Sequence, residues 1–156
     1  IATEKPSTTA GKTNANEAKA IAKFISAYYR LCTKNGKQCD PSSEVGVIVP
    51  FRNQIAMVMQ AIEAENIPHS KDIIIDTVER FQGSQREMIL YGTTVTKKDM
   101  LDALSSPTHD ADGTLIDRKL NVALTRARRR MYIFGNVQTL SASPIYNSLM
   151  QEFCVS

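Results

Sequence analysis

Val45 to Val49, VGVIV, is an unbroken apolar run closed by Pro50. A strand with one wet face alternates apolar and polar residues, so a run without alternation predicts a strand covered on both faces. Proline lacks an N–H and stops it. Three more short apolar runs follow at Ile73 to Ile75, Met88 to Tyr91 and Met131 to Phe134, the last ending at the turn signal Gly135-Asn136.

Helical periods fill the spaces between these runs. Asn14 or Asn16 can cap a helix whose stripe is Ile21, Phe24, Ile25, Tyr28 and Cys32, ended by Asn35-Gly36. From Phe51 to about Ala64, Ile55, Val58, Met59 and Ile62 form a second stripe. Leu120, Ala123, Leu124 and Ala127 form a third, and Pro144 starts a last helix with Ile145, Leu149 and Phe153. Alternating helices and buried strands predict an α/β fold with a mainly parallel sheet of at least four strands and helices on both faces. Residues 93 to 117 are a long polar connection with Pro107, Asp112-Gly113 and a short helix around Lys98 to Leu104.

A hydrophobic fraction of 42% and a charged fraction of 22% in 156 residues are those of one globular domain with a real core. The net charge of +3 permits a nucleotide or nucleic-acid partner without requiring one. Cys32, Cys39 and Cys154 share no metal-ligand spacing, and His69 and His109 do not complete one, so no metal site is expected and reduced, intracellular thiols are. No run approaches a membrane span and the N-terminus lacks the core of a signal peptide, which points to a cytoplasmic or otherwise intracellular protein. The start at Ile1 reads as the start of a segment of a longer chain.

Residues 1 to 13 are polar and rich in Thr, Ser and Pro, a tail or linker, leaving 14 to 156 as the domain. Ala10 to Thr13, AGKT, imitates the end of a phosphate-binding loop, but Pro6 stands where that loop needs glycine and no strand precedes it. Arg126 falls on the flank of the third stripe at about 100° per residue, at the lip of whatever the helix packs on. A guanidinium there suits a phosphate or carboxylate, although arginines late in a helix also complement its dipole or merely face water. Arg52, Asn53 and Gln54 start a helix at a strand's carboxyl end, where open sheets bind ligands. A polar loop bearing Gly83, VERFQGSQRE, separates two apolar strands and suggests a site.

Three stretches together carry a resemblance. VGVIVPFRNQ at 45 to 54, IDTVERFQGSQREMIL at 75 to 90 and DRKLNVALTRARRRMYIFGN at 117 to 136 resemble motifs IV, V and VI of superfamily 1 helicases, in order and spacing as well as wording. The closest group is the one typified by the nonsense-mediated-decay RNA helicase and the replication helicase-nucleases. The resemblance spans roughly residues 14 to 140 and implies the second, C-terminal RecA-like domain: a three-layer α/β/α sandwich of the P-loop NTPase fold, without its own P-loop. It implies ATP in a cleft shared with an N-terminal RecA-like domain of the same protein, with Mg2+ held chiefly by that domain, and single-stranded DNA or RNA as the track.

Carried over by position, Arg126 matches the arginine finger that reaches the γ-phosphate. Gly83 matches the glycine of the motif V loop, and Gln85 stands where a glutamate is usual. Arg52 is the available candidate for a second phosphate ligand and Gln54 matches a recurrent polar residue. Pro50, Phe51 and Thr77 match positions along the nucleic-acid path; Phe81 is expected to pack rather than stack a base. The implied function is an ATP-dependent helicase or translocase, inactive as this fragment alone. The alternative is a degenerate RecA-like binding or scaffold module that does not hydrolyse ATP.

Overall fold

The apolar runs and helical stripes alternate in space as they do in sequence, in a computed structural model that describes residues 1–2, 12–81 and 84–153. Helix α1 (Ala15–Lys34) is followed by the short α2 (Pro41–Glu44), strand β1 (Val45–Ile48) and helix α3 (Arg52–Ala64). Strands β2 (Ile74–Asp76) and β3 (Arg86–Gly92) come next, then α4 (Leu101–Leu104), β4 (Pro107–His109) and β5 (Leu115–Asp117). Helix α5 (Arg118–Leu124) leads into β6 (Ala127–Phe134), and α6 (Val137–Leu140) and α7 (Pro144–Phe153) close the chain. The main sheet has the order β2-β1-β3-β6 with every neighbouring pair parallel.

Both faces of this sheet are covered, as the unbroken apolar runs require. Val45, Val47, Met88, Leu90 and Phe134 pack towards α1 and α3, with Ile21, Ile25, Val58 and Ile62. Ile48, Ile89 and Tyr91 face the other way, onto Phe81, Leu120, Ala123 and Tyr146. The chain is therefore a three-layer α/β/α sandwich of RecA-like type, as the resemblance implies. Phe81 packs rather than projects: it is 2% exposed, and a Cβ on Gly46 would lie 2.5 Å from its ring.

Several local expectations change. The strand expected to be buried at 73 to 75 is β2, only half-buried because it is the sheet's edge. Met59 points outward at 43% exposure, and Gln54, fully buried, takes a place on the inner face of α3. The long connection contains an antiparallel hairpin of β4 and β5, turned at Gly113 with φ +78°. At the N-terminus, Ala2 pairs with Gly135 in an isolated parallel bridge, so residues 1 and 2 touch the sheet, while residues 3–11 of the expected linker lie outside the described residues.

The third stripe is shorter than its spacing predicts. Helix α5 stops at Leu124, which is 41% exposed, and Arg128, Arg129 and Arg130 stand on β6 instead of on the helix. Thr125 closes the last turn, its hydroxyl donating to the Val122 carbonyl at 2.7 Å. Beyond it the backbone joins β3, where the Arg86 N–H donates to the Arg126 carbonyl at 3.0 Å. Ladder hydrogen bonds outweigh the continued helical period, so Leu120 and Ala123 alone anchor the helix.

A buried polar junction ties α1 and α3 to the carboxyl end of β3. Asn14 caps α1 by accepting the Glu17 N–H at 3.0 Å. In a capping box the glutamate would return to the cap residue's own N–H. Here Gln54 takes that part: its Oε1 accepts the Asn14 N–H at 2.7 Å, and its Nε2 donates to the Asn14 carbonyl at 2.9 Å. Glu17 is thereby freed to accept the Thr94 N–H at 2.9 Å, helping to hold Thr94 at a left-handed φ of 60°. A Cβ on Gly92 would lie 2.7 Å from the Glu17 carboxyl, so a glycine is what lets the two segments meet.

Burial pushes the Glu17 carboxyl up to about 8 despite its bonds to Thr94 and Thr93, which pull the other way. The helix dipole at the first turn of α1 favours the ionised form by only about 0.3–1 kcal/mol, too little to offset desolvation. The folded chain thus holds this proton more tightly than the unfolded one. Its stabilising effect is complete below about pH 4.5 and is lost as pH rises towards about 8. Urea denaturation should show stability declining across this window by on the order of a few kcal/mol. Glu17→Gln should flatten that decline; a decline of the same size in Glu17→Gln would contradict the assignment. Gln54→Ala leaves the buried Asn14 N–H without a partner, while the Asn14 carbonyl keeps the Ala18 N–H, and should cost roughly 1–3 kcal/mol in the same measurement.

Candidate functional site

In a parallel sheet all strands share one carboxyl edge and one amino edge, and the candidate residues divide between the two. Pro50, Phe51 and Arg52 leave the carboxyl end of β1, and Thr77 leaves that of β2. Gln85 and Arg126 instead precede the amino ends of β3 and β6. The chain leaves the carboxyl edge at Thr77 in a turn that buries Val78 and Phe81 on the face of α5, and Gln85 stands at the amino edge.

At the amino edge the paired strands bring two sequence motifs into contact. Gln85 is exposed, and its Nε2 donates to the Thr125 carbonyl at 3.3 Å. The next rung is the bond from the Arg86 N–H to the Arg126 carbonyl, 3.0 Å. Arg126 is half-buried and its Nε–H is buried without a hydrogen-bond partner. Among the described residues no carboxylate lies within ion-pair distance of it. Its arginine neighbours differ: Arg128 and Arg129 reach Glu87 at 3.6 and 3.1 Å. An unpaired buried donor is costly and uncommon, and Arg126 carries one. Gly83 lies outside the described residues.

Helix α5 is held in place by Asp117, which is 2% exposed. Its Oδ1 accepts the Lys119 and Leu120 N–H groups at 2.9 and 3.1 Å, and its other oxygen accepts the Ser105 hydroxyl at 2.5 Å. An acid at a helix start is stabilised by the free N–H groups there. The cap fixes one end of α5 and the β3–β6 ladder fixes the other, so the position of Arg126 is set from both sides.

At the carboxyl edge Phe51 is half-buried and carries the Lys12 ammonium 5.5 Å from its ring centroid. Lys12 belongs to the AGKT stretch rejected as a phosphate loop, and its ammonium lies on Phe51 instead. Arg52 is exposed at the first turn of α3. Thr77 is 7% exposed; its N–H donates to the Asp76 carboxylate at 2.8 Å, and its carbonyl accepts the N–H groups of Arg80 and Phe81. It is therefore the head of the crossing turn.

The geometry sets Arg52 and Gln54, both expected near the nucleotide, apart from Arg126. Ile48 lies level with Tyr91 and Tyr91 with Ile133, which sets Arg126 seven residues below that level and Arg52 beyond it on the opposite side. At about 3.3 Å per strand residue the separation is on the order of 20 Å, too far for both guanidinium groups to hold one phosphate. Arg52 joins Phe51 and Lys12, not Arg126. Gln54 is not free for a ligand either, since both ends of its amide are spent on Asn14. Sequence reasoning overlooked Arg86, whose Nε is also buried without a partner; only its place beside Gln85 pointed to it.

Residues 2–138 match the AAA domain family. Regulator of nonsense transcripts 1 of Dictyostelium discoideum is 32% identical over 144 residues, covering 90% of this chain and 10% of that protein. The Arabidopsis thaliana homolog of the same protein is 31% identical over 144 residues, again 90% of this chain and 10% of its own length. A protein named as a MOV-10 helicase in Gallus gallus is 25% identical over 143 residues, 88% of this chain and 15% of its length. The chain thus spans about a tenth of the length of the curated relatives it matches. Among the described residues no helix is long and apolar enough to cross a membrane.

Proposed function

This chain belongs to the AAA domain family as the C-terminal region of a superfamily 1 helicase, and we propose that it completes the ATP site of its full-length parent with Arg126 while holding single-stranded nucleic acid along its opposite edge. The observation that carries this reading is the unpartnered, half-buried Arg126 guanidinium beside the exposed Gln85 amide. A nucleotide bound on a preceding RecA-like domain presents its terminal phosphate to this edge. ATP supplies the phosphoanhydride whose cleavage drives domain movement. Arg126 donates hydrogen bonds to the phosphoryl oxygens, on which charge builds as the bond breaks, and needs no reorientation because its ends are fixed. Gln85 lines the nucleotide's flank, and Gly83 is assigned to the same site by its motif position alone; an amide in place of a carboxylate keeps a hydrogen bond without adding negative charge.

Mg2+ is assigned chiefly to the preceding RecA-like domain, on the family resemblance. At the carboxyl edge, Pro50, Phe51 and Thr77 form the track for one strand. Arg52 and Lys12 supply positive charge to its phosphates, a contact that positions the strand without reading its sequence. Closing and reopening the cleft moves this edge relative to that of the partner domain, which converts hydrolysis into stepping.

In the full-length parent, Arg126→Ala should lower the kcat of nucleic-acid-stimulated ATP hydrolysis by about 10³-fold or more while leaving single-stranded oligonucleotide affinity intact. A parental rate in that variant would sink the finger assignment. Arg52→Ala should do the reverse. Oligonucleotide affinity should fall several-fold and the salt dependence of binding should lose about one counterion, with kcat at saturating nucleic acid unchanged.

A further inference from the structure

Arg86 opens β3 one residue after Gln85, and its backbone is bonded to that of Arg126. Its stem crosses Gly46 on the face covered by α5: a Cβ there would lie 3.1 Å from the Arg86 Cγ. That packing directs the chain from the sheet interior out to the amino edge. One Nη donates to the Gln85 carbonyl at 3.0 Å, which restrains the guanidinium plane. The Nε–H remains buried and without a partner, as in Arg126. Neither arginine is within ion-pair distance of a carboxylate among the described residues, whereas Arg80, Arg128 and Arg129 each have one.

Two arginines whose backbones are bonded to each other at the amino ends of β3 and β6, each with an unspent buried donor, form a site for an anion with several acceptor oxygens. Two isolated cations so placed would otherwise repel each other and leave buried N–H groups unsatisfied, a double cost that a shared anion removes. We propose that Arg86 is the second phosphate ligand of this edge, gripping the terminal phosphate of the nucleotide together with Arg126, in the role that the sequence had offered to Arg52. This inference rests on the nucleotide reading of Arg126.

The test uses the full-length parent and compares equilibrium binding of a non-hydrolysable ATP analogue with that of ADP. Arg86→Gln should weaken the analogue about tenfold and leave ADP within about twofold, because only the analogue carries the third phosphate. Equal loss for both nucleotides marks a structural part or a pairing with a partner-domain carboxylate, and overturns the proposal; so does loss for neither. Arg86→Lys keeps the charge and the stem over Gly46 but lacks the Nε–H, so it should bind the analogue between the two. Where Arg86→Gln lowers the melting temperature, Arg86→Lys decides the matter, and parental analogue binding in it overturns the proposal. If Arg126→Ala hydrolyses ATP at the parental rate, the nucleotide reading itself has failed, an outcome distinct from failure of Arg86 alone.

Discussion

The pairing of β3 with β6 is the interaction on which the arrangement depends. Its first rungs join Arg86 to Arg126 and Ala127, and the register shift between Arg86 and Met88 takes up the irregularity where helix becomes strand. That irregularity also turns Glu87 to the arginines Arg128 and Arg129. Without the ladder, the spacing of Leu120, Ala123 and Ala127 would extend the helix by a turn and rotate Arg126 away from Gln85. A parallel ladder is thus what turns two sequence-distant loops into one edge. Hydrogen bonds made there cost little net energy to exchange with water but are expensive to leave unmade once buried, so the edge is held in register.

The same parallel geometry separates two kinds of chemistry. A strand of seven or eight residues spans on the order of 25 Å, and groups at its two ends cannot serve one small ligand. After β2, Phe81 buries itself over Gly46 and covers the sheet face between the two edges. Thr77 stands beside the carboxyl edge and Gln85 at the amino edge.

Much of this was legible in the sequence because it depends on local composition. The unbroken apolar runs declared doubly covered strands, Asn14 and Asn35-Gly36 marked the ends of α1, and Pro50 marked the end of β1. What escaped depends on partners far away in the chain. Gln54 read as a ligand-facing polar residue at a strand's carboxyl end; its burial requires Asn14, forty residues earlier. Arg52 and Arg126 looked like a pair because both are arginines in matching motifs, but which edge each occupies follows from sheet register. The β4–β5 hairpin escaped because its strands are three residues long and largely exposed, leaving no apolar run to read. Arg86 escaped for a different reason: nothing in its neighbours shows that its Nε–H is buried and unspent.

The junction of Asn14, Glu17 and Gln54 extends this dependence to the carboxyl edge. Gln54 follows Arg52 by two residues and Thr94 follows Gly92, so the amide and the carboxyl fix the backbones leaving β1 and β3 at the edge where the nucleic-acid contacts are proposed. A carboxyl ionised in that position would need counter-charge or water, and burial denies it both; holding the proton is the less costly solution. The carboxyl group accepts the Thr94 N–H and the Thr93 and Thr94 hydroxyls, so the bonds of the junction are directional and buried. Exposed lysine and arginine contacts with a strand weaken as ionic strength rises, but the backbone that presents them does not, because it is held by neutral buried bonds. On this geometry, salt modulates the grip of the carboxyl edge without loosening its shape.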